Sequence, residues 1–489
     1  MRRRRWPRLA IAIAIAAAGC GDDGGGEPFA LDGSDTEIGG TAADTGGLAE
    51  GGATSTEADT TVGDDVTDGS DDTTAGPIDP IDGPQVYPAG RVHSPVSAHV
   101  AQVWRDIAAA GPEQADDVFM KVGASSTVSP STLYCFADDA QVDLGVYGSL
   151  ASTRQWFLGG DADGTTPFDR DTLAAEVGRT AGWAIEGMPS PLDMELSALS
   201  PQLALVHYGT NDMGFGATYD AALASFYENM STLCDTLQDQ GVVPILFSIT
   251  RRGDNPAAQR WVATYNAAIR GLAQQRQVPF VDLFEAIDGL GGNGLSDDGL
   301  HLDASPEGAC MLDDAGLEYG YNVRNLVALQ ALDRAVAVLV DEADGLEDPV
   351  PPREGTGTFD DPITIDALPF ADGRDTTVDG AAVIGQYPGC SDSDQSGPEI
   401  WYRLSLDAPR SLRWVILDRE GVDLDVHVLA DGADPDVDCL ARDDRLIEAT
   451  LPAGEYWVVV DTWGGAGVPL AGPFVLVVTE CDPGDPDCA

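Results

Sequence analysis

The sequence predicts an α/β domain built on a parallel sheet, followed by a smaller all-β sandwich. Three observations carry this. Between residues 89 and 343, short apolar runs of strand character alternate with helix-length segments, the pattern of a parallel sheet covered on both faces. Beyond residue 358 the texture changes to short alternating strands separated by Gly, Pro and Asp turns. A length of 489 residues also exceeds one ordinary domain.

Residues 1–20 read as a targeting segment. Arg2 to Arg5 and Arg8 form a basic start, and residues 9–18 form an apolar stretch too short to span a membrane as a mature helix. The segment ends Ala17-Ala18-Gly19-Cys20, which resembles a bacterial lipobox; Cys20 would then carry a lipid anchor in the membrane. The alternative is an ordinary secreted protein cut near the alanine run. Gly21, where an Asp would signal inner-membrane retention, points to the outer membrane or cell surface. Residues 21–88 are built mainly from Gly, Asp, Thr, Ser and Ala and hold no Lys or Arg, an acidic, disordered tether with too few apolar residues for a core.

The α/β domain, residues 89–343, opens with a helix over 93–110, where Val96, Val100, Val103, Trp104 and Ile107 recur at helical spacing. Strands are predicted at 118–123, 203–209, 242–249 and 278–284. Helix-length segments lie at 217–240, 257–276 and 319–343. No internal repeat appears. Residues 344–358, rich in Pro, Gly and acid, form a linker across which few contacts are expected. In the sandwich, residues 359–480, strands are predicted at 399–406, 412–417, 422–429, 446–451, 456–461 and 474–478; residues 481–489 form a tail.

A net charge of −56 excludes nucleic acid as a default partner and disfavours electrostatic attachment to anionic lipid. Lys121 is the only lysine; either GC-rich codon usage or adaptation of a carboxylate surface to salt accounts for this.

Four stretches carry candidate chemistry. The strand ending at Gly123 runs into Ala124 and Ser125, where a sharp bend exposes a hydroxyl. Leu205-Val-His-Tyr-Gly-Thr-Asn-Asp212 is a buried strand entering a Gly-Thr-Asn-Asp turn. Asp298-Gly-Leu-His301 sets a carboxylate and an imidazole three residues apart. Arg179-Thr-Ala-Gly182 lies between the serine and asparagine stretches, with Gly178 a second candidate glycine. Acyl transfer from an ester needs a nucleophile, a base, an orienter for the base and oxyanion donors. Ser125, His301 and Asp298 supply the first three. The Ser125 and Gly182 backbone N–H groups and the Asn211 amide supply the donors.

The order and spacing of these stretches resemble the SGNH (GDSL-type) hydrolase family over roughly residues 118–302. The resemblance implies a three-layer α/β/α fold, no metal or other cofactor, and hydrolysis of carboxylic esters. One departure is Ala124, where the family usually has Asp, which bears on the rigidity of the serine turn. Residues 357–479 resemble the pre-peptidase C-terminal type of accessory β-sandwich, which implies a module without chemistry of its own.

Other residues have plainer roles. His207, inside an apolar strand, reads as a core histidine with its polar atoms satisfied. His93 and His99 sit on the first helix with no Cys or Glu cluster to make a metal site. Asp297 stands one residue off the spacing that selects Asp298. Thr210 and Tyr208 either line the acyl pocket or pack. Trp401, Trp414, Trp457 and Trp463 are core residues or a sugar-stacking platform. Asp423 and Asp425 alternate as on a strand's wet face, or bind calcium. With Cys20 lipidated, seven cysteines remain. Cys390 with Cys439 and Cys481 with Cys488 are natural pairs. Cys135 pairs with Cys310, because the fold brings the serine and histidine loops to one rim, leaving Cys234 free.

The predicted activity is an extracytoplasmic serine esterase acting on short acyl groups such as acetyl on polysaccharide. A lipase or lysophospholipase, an O-acyltransferase, or a weakly active surface binding lipoprotein are the alternatives.

Overall fold

The computed structural model describes residues 83–391, 393–430, 432–482 and 484–488. The targeting segment, the lipidation candidate Cys20 and the acidic stretch through residue 82 lie outside the described residues. Among the described residues no helix is long and apolar enough to cross a membrane.

The α/β lobe runs α1 (Ala98–Ala110), β1 (Ala115–Gly123), α2 (Ser125–Val128), α3 (Ala151–Leu158), α4 (Ala181–Ile185), α5 (Pro191–Leu199) and β2 (Pro201–His207). It continues with α6 (Tyr219–Asp239), β3 (Val243–Phe247), α7 (Pro256–Gln259), α8 (Val262–Arg276), β4 (Phe280–Val281), α9 (Leu283–Ala286) and α10 (Gly320–Leu339). The four strands form one parallel sheet in the order β1-β2-β3-β4. Helices pack along it, α10 against α1, α3 and α9, and α6 against α4 and α8. β3 is buried throughout, as a central parallel strand must be. The last predicted strand is cut short. Asp282 turns the chain after Val281, its carboxylate accepting from the Glu285 N–H at 3.1 Å, so α9 begins where 283–284 were expected to extend.

The C-terminal lobe is a sandwich. Its elements are β5 (Ile363–Thr364), β6 (Phe370–Asp375), α11 (Thr376–Asp379), β7 (Ile400–Leu406), β8 (Arg410–Leu417) and β9 (Leu424–Leu429). β10 (Cys439–Asp443), β11 (Leu446–Leu451), β12 (Gly454–Thr462) and β13 (Pro473–Glu480) complete it. One sheet has the order β10-β9-β12-β7-β5 and the other β11-β8-β13-β6. All pairings are antiparallel except β5 with β7.

The two lobes share an extensive interface, contrary to the expectation that few contacts cross 344–358. α8 packs against β6 and β13, and the α/β core continues into Ala371, Val415, Leu417, Val475 and Val477. The physical reason is that β13 is buried on both faces. Phe474, Leu476 and Val478 face the sandwich interior, while Val475 and Val477 face α8. α8 correspondingly buries residues all around its circumference. Polar contacts tie the same surface. Gln274 donates to Asp372 (3.1 Å), Gln275 to the Phe474 carbonyl (3.0 Å), and Thr264 meets Thr479 (3.1 Å). The linker is itself held, the Glu347 carboxylate pairing with Arg91 (3.2 Å) and Arg334 (3.0 Å).

The structure pairs Cys135 with Cys310, Cys390 with Cys439 and Cys481 with Cys488, and leaves Cys234 buried and unpaired. Trp401 and Trp414 are buried in different clusters on opposite faces of the sandwich sheets, so the four tryptophans form no common platform. Asp425 is likewise not on a wet face. It is buried and ion-paired with Arg442 at 2.7 Å.

Candidate active site

β1 ends with six consecutive buried residues and delivers Ser125 to the C-terminal edge of the sheet. At Gly123 a Cβ would collide with the Thr127 side chain and lie 2.8 Å from the His207 carbonyl oxygen, so the bend needs glycine. Ser125 is the first residue of α2, where helix geometry leaves the backbone N–H without an intrahelical partner. The Ala124 carbonyl accepts from the Thr127 N–H (2.9 Å) and the Val128 N–H (3.1 Å). The Thr132 hydroxyl donates to the Ser126 carbonyl at 2.5 Å. These bonds close the turn without a carboxylate at position 124. Asn325 of α10 joins the serine segment to the loop after the histidine, donating to the Ser131 (2.8 Å) and Ala309 (3.0 Å) carbonyls and accepting from Leu133 N–H (3.0 Å).

The second loop brings His301 over Ser125. His301 Nε2 lies 2.9 Å from Ser125 Oγ, and His301 Nδ1 lies 2.6 Å from Asp298 Oδ2. The carboxylate can only accept, so Nδ1 carries the proton and the Nε2 lone pair faces the serine. Asp298 Oδ1 accepts from the Ser296 hydroxyl (2.8 Å) and from the Leu300 and His301 N–H groups (each 2.9 Å). Burial pulls the Asp298 carboxyl upward. The hydrogen bonds from the imidazole, these two N–H groups and Ser296 prevail and hold it well below the usual carboxylate range. Gly299 sits at φ +68°, and a Cβ there would come within 2.9 Å of the Gly253–Asp254 backbone, so glycine is required between the aspartate and the histidine.

The third turn follows β2. The Asn211 side-chain amide donates to the Arg179 carbonyl at 2.9 Å, which leaves its second N–H for another acceptor. Asp212 is buried, and its two oxygens accept from the Ala181 N–H (2.9 Å) and the Gly209 N–H (3.0 Å). Burial raises the Asp212 carboxyl to about 6 against these two bonds. One carboxylate thus ties the 179–181 segment to the asparagine turn.

Ser125, Ser126, Ala124, Arg179, His207, Tyr208, Gly209, Thr210, Asn211, Leu300 and His301 line one pocket holding about 330 Å³ of free space, its open mouth included. Two placements differ from the sequence reading. Gly182 does not line it. Gly182 lies in α4, where a Cβ would come 2.9 Å from the amide nitrogen at the end of the Asn229 side chain. The part of that segment that reaches the pocket is Arg179, next to Gly178. His207 is not a satisfied core histidine. It faces the pocket, Arg324 stands 3.5 Å from its Nδ1, and its buried Nε2 has no hydrogen-bond partner. Burial and the Arg324 charge lower its pKa to about 3, so the ring is neutral at working pH. His93 is away from the site, bonded to Gln330 at 3.2 Å.

The roles of Asp212 and Arg179 were missed by sequence reasoning. A signal for the first existed, a carboxylate directly after the asparagine; none existed for the second.

Residues 151–305 match the family model described as GDSL-like Lipase/Acylhydrolase. The chain carries a GDSL-like acylhydrolase domain. It is a hydrolase acting on ester bonds. The matched part of the acylhydrolase domain contains Gly182, Asn211, Asp298 and His301, and begins after Ser125. Among solved structures, the chain is similar to a GDSL-like lipase from Bacteroides thetaiotaomicron, at 18% identity over 48% of this chain and 99% of that one, with a TM-score of 0.29. It is also similar to an acetylxylan esterase from Geobacillus stearothermophilus, at 13% identity over 45% and 95%, with a TM-score of 0.30. A two-domain esterase active on acetylated mannans matches at 13% identity over 80% and 96%, with a TM-score of 0.31. No curated protein matches the acylhydrolase in sequence.

Proposed function

We propose that this acylhydrolase is an extracytoplasmic serine esterase that removes short acyl groups, acetyl above all, from polysaccharide. The observation that carries the reading is the unbroken line from Ser125 Oγ through the His301 ring to Asp298, opening on a pocket that also presents Asn211. His301 Nε2 takes the Ser125 proton as Oγ attacks the ester carbonyl. The free N–H of Asn211 and the N–H of Ser125 receive the oxyanion. The intermediate collapses to an acyl-serine, and the leaving alcohol takes the proton from His301. Water then attacks by the same route and releases the acid. Asp298 holds the ring with Nδ1 protonated and stabilises the imidazolium.

The small pocket supports a short acyl group. Among the described residues its aliphatic lining is limited to Ala124 and Leu300. Three cystines support an oxidising compartment outside the cytoplasm. Lipidation of Cys20 would fasten the enzyme to the membrane and the acidic tether would extend it from the surface; both rest on the sequence alone. The test is a series of nitrophenyl esters from acetate to palmitate, run beside acetylated xylan on the parent and Ser125→Ala. Turnover that peaks at acetate, includes the xylan and vanishes in Ser125→Ala is expected. A peak at long chains, or none at all from folded protein, contradicts the proposal.

A further inference from the structure

A second cavity opens where α8, the 350–354 linker and the 364–370 segment of the sandwich meet the chain at 86–89. It holds about 1060 Å³ of free space, its mouth included, and shares no lining residue with the catalytic pocket. Arg270 of α8 lines it and is only 5% exposed, yet among the described residues no carboxylate forms an ion pair with it. The guanidinium makes one hydrogen bond, from Nη2 to the carbonyl of Pro369, itself a lining residue. Its Nε is sealed and unpartnered, whereas Nη1, also unpartnered, is not sealed and opens on the cavity. Asp282 attracts the guanidinium from a distance, but that carboxylate is taken by the Ser248 hydroxyl (2.9 Å) and the Glu285 N–H (3.1 Å). Burial and the charge of Arg353 lower the pKa of Arg270 to about 10 against the pull of Asp282, so it stays charged at neutral pH.

A buried charge without a counterion is costly, and folded chains pair such groups. The other cation of the lining is already engaged. Arg353 pairs with Asp366 at 3.2 Å and donates to the Ala371 carbonyl at 2.9 Å. One unpaired cation calls for one negative charge, and a carboxylate accepts two guanidinium N–H groups. A doubly charged phosphate would leave a second charge facing the acids of the lining. Those acids, Glu354 and Asp366, are exposed and so belong to the mouth, where an ionised carboxylate accepts only from donors such as hydroxyl groups. Val86, Pro88, Pro351 and Pro352 supply apolar surface for a ring's C–H face. The chain charge of −56 repels distant anions, but salt screens it beyond about 8 Å, while Arg270 acts at contact.

We propose that this cavity binds a sugar acid, a pyranose with one carboxylate, held by Arg270 at the carboxylate and by Glu354 and Asp366 at the hydroxyl groups. The ligand is read from this lining alone, so the site stands whichever ester is cleaved in the catalytic pocket.

The test is calorimetric titration of the full chain with sodium glucuronate, at fixed ionic strength and at two temperatures. Saturable binding to one site is expected, with glucose and acetate each at least about tenfold weaker. Arg270→Met should bind glucuronate no better than glucose, and its unliganded melting temperature should equal or exceed that of the parent, because an unpaired buried charge is gone. Ala367→Trp, which fills the mouth from an exposed position, should abolish binding, and it serves alone if Arg270→Met does not fold. No saturable binding at either temperature, or binding that survives Ala367→Trp, overturns the proposal. Glucose binding as tightly as glucuronate overturns the role of Arg270, and acetate binding as tightly overturns the assignment to a sugar.

Discussion

The guanidinium of Arg413, on the sandwich strand β8, lies 3.7 Å from the centre of the Trp261 ring, immediately before α8. Trp261 stacks on Tyr219, ring centres 5.9 Å apart, and Tyr219 opens the helix that follows the Asn211 turn. The same guanidinium, fully buried, pairs with Asp485 (3.0 Å) and Glu448 (2.6 Å). The sandwich therefore buttresses the segment that carries the asparagine. A chain ending at Glu354 should expose the second apolar face of α8 and lose thermal stability together with nitrophenyl acetate turnover. Arg413→Ala in the full chain should cost about 3–5 kcal/mol, because it strips a buried carboxylate of a partner. Urea unfolding and initial rates check both; a stable, fully active truncation contradicts this account of the interface.

Asn211 and Asp212 should separate cleanly on mutation. Asn211→Ala removes a donor aimed at developing charge and should lower kcat by about 10²–10³ with little change in unfolding. Asp212→Ala strands the Ala181 and Gly209 N–H groups and should cost about 1–3 kcal/mol of stability. Measuring kcat and the urea midpoint on both variants checks the division. Equal stability losses with kcat intact in Asn211→Ala would contradict it.

Acidification distinguishes the role of Asp298. Its carboxyl is lower in the folded chain than in the unfolded one, so as pH falls the unfolded chain takes up the proton first. Its contribution to stability is thus complete above the ordinary aspartate value of about 4 and is lost as pH drops below it. The stability difference between the parent and Asp298→Asn should be flat above that point and shrink beneath it, as followed by urea unfolding across pH. A difference that already shrinks near neutrality would mean that the carboxylate is not held by the imidazole.

Much of this site was legible in the sequence, and the rest was not for definite reasons. Gly123, Ser125, the Gly-Thr-Asn-Asp turn and Asp298-Gly-Leu-His301 could be read because each combines a bend with a reactive group at fixed spacing. The parallel sheet could be anticipated because β1 and β3 are apolar runs between helices. Gly182 was a misplacement. A glycine inside a short helix looks, in sequence, the same as one that faces an oxyanion. His207 was misread because an apolar flank does not reveal that a strand's last residue faces a pocket. The interface was missed although β13 shows it: Phe474 to Val478 is apolar at every position, so both of its faces had to be covered.

Gly182→Ala follows from that correction. The added methyl meets only the movable end of the Asn229 side chain, and alanine is the better helix former, so stability should change by less than about 1 kcal/mol. The kcat of the folded fraction should stay close to that of the parent. Thermal melting with active-site titration checks this, and a hundredfold fall in kcat at unchanged stability would restore Gly182 to the oxyanion site.

The most direct test of the account is covalent labelling with a fluorophosphonate, followed by peptide mass spectrometry. The account predicts a single modification on Ser125, absent in Ser125→Ala and slowed by orders of magnitude in His301→Ala. Modification at Ser126 instead, or a His301→Ala protein labelled at the parental rate, would contradict the assignment of Ser125 and His301 as nucleophile and base.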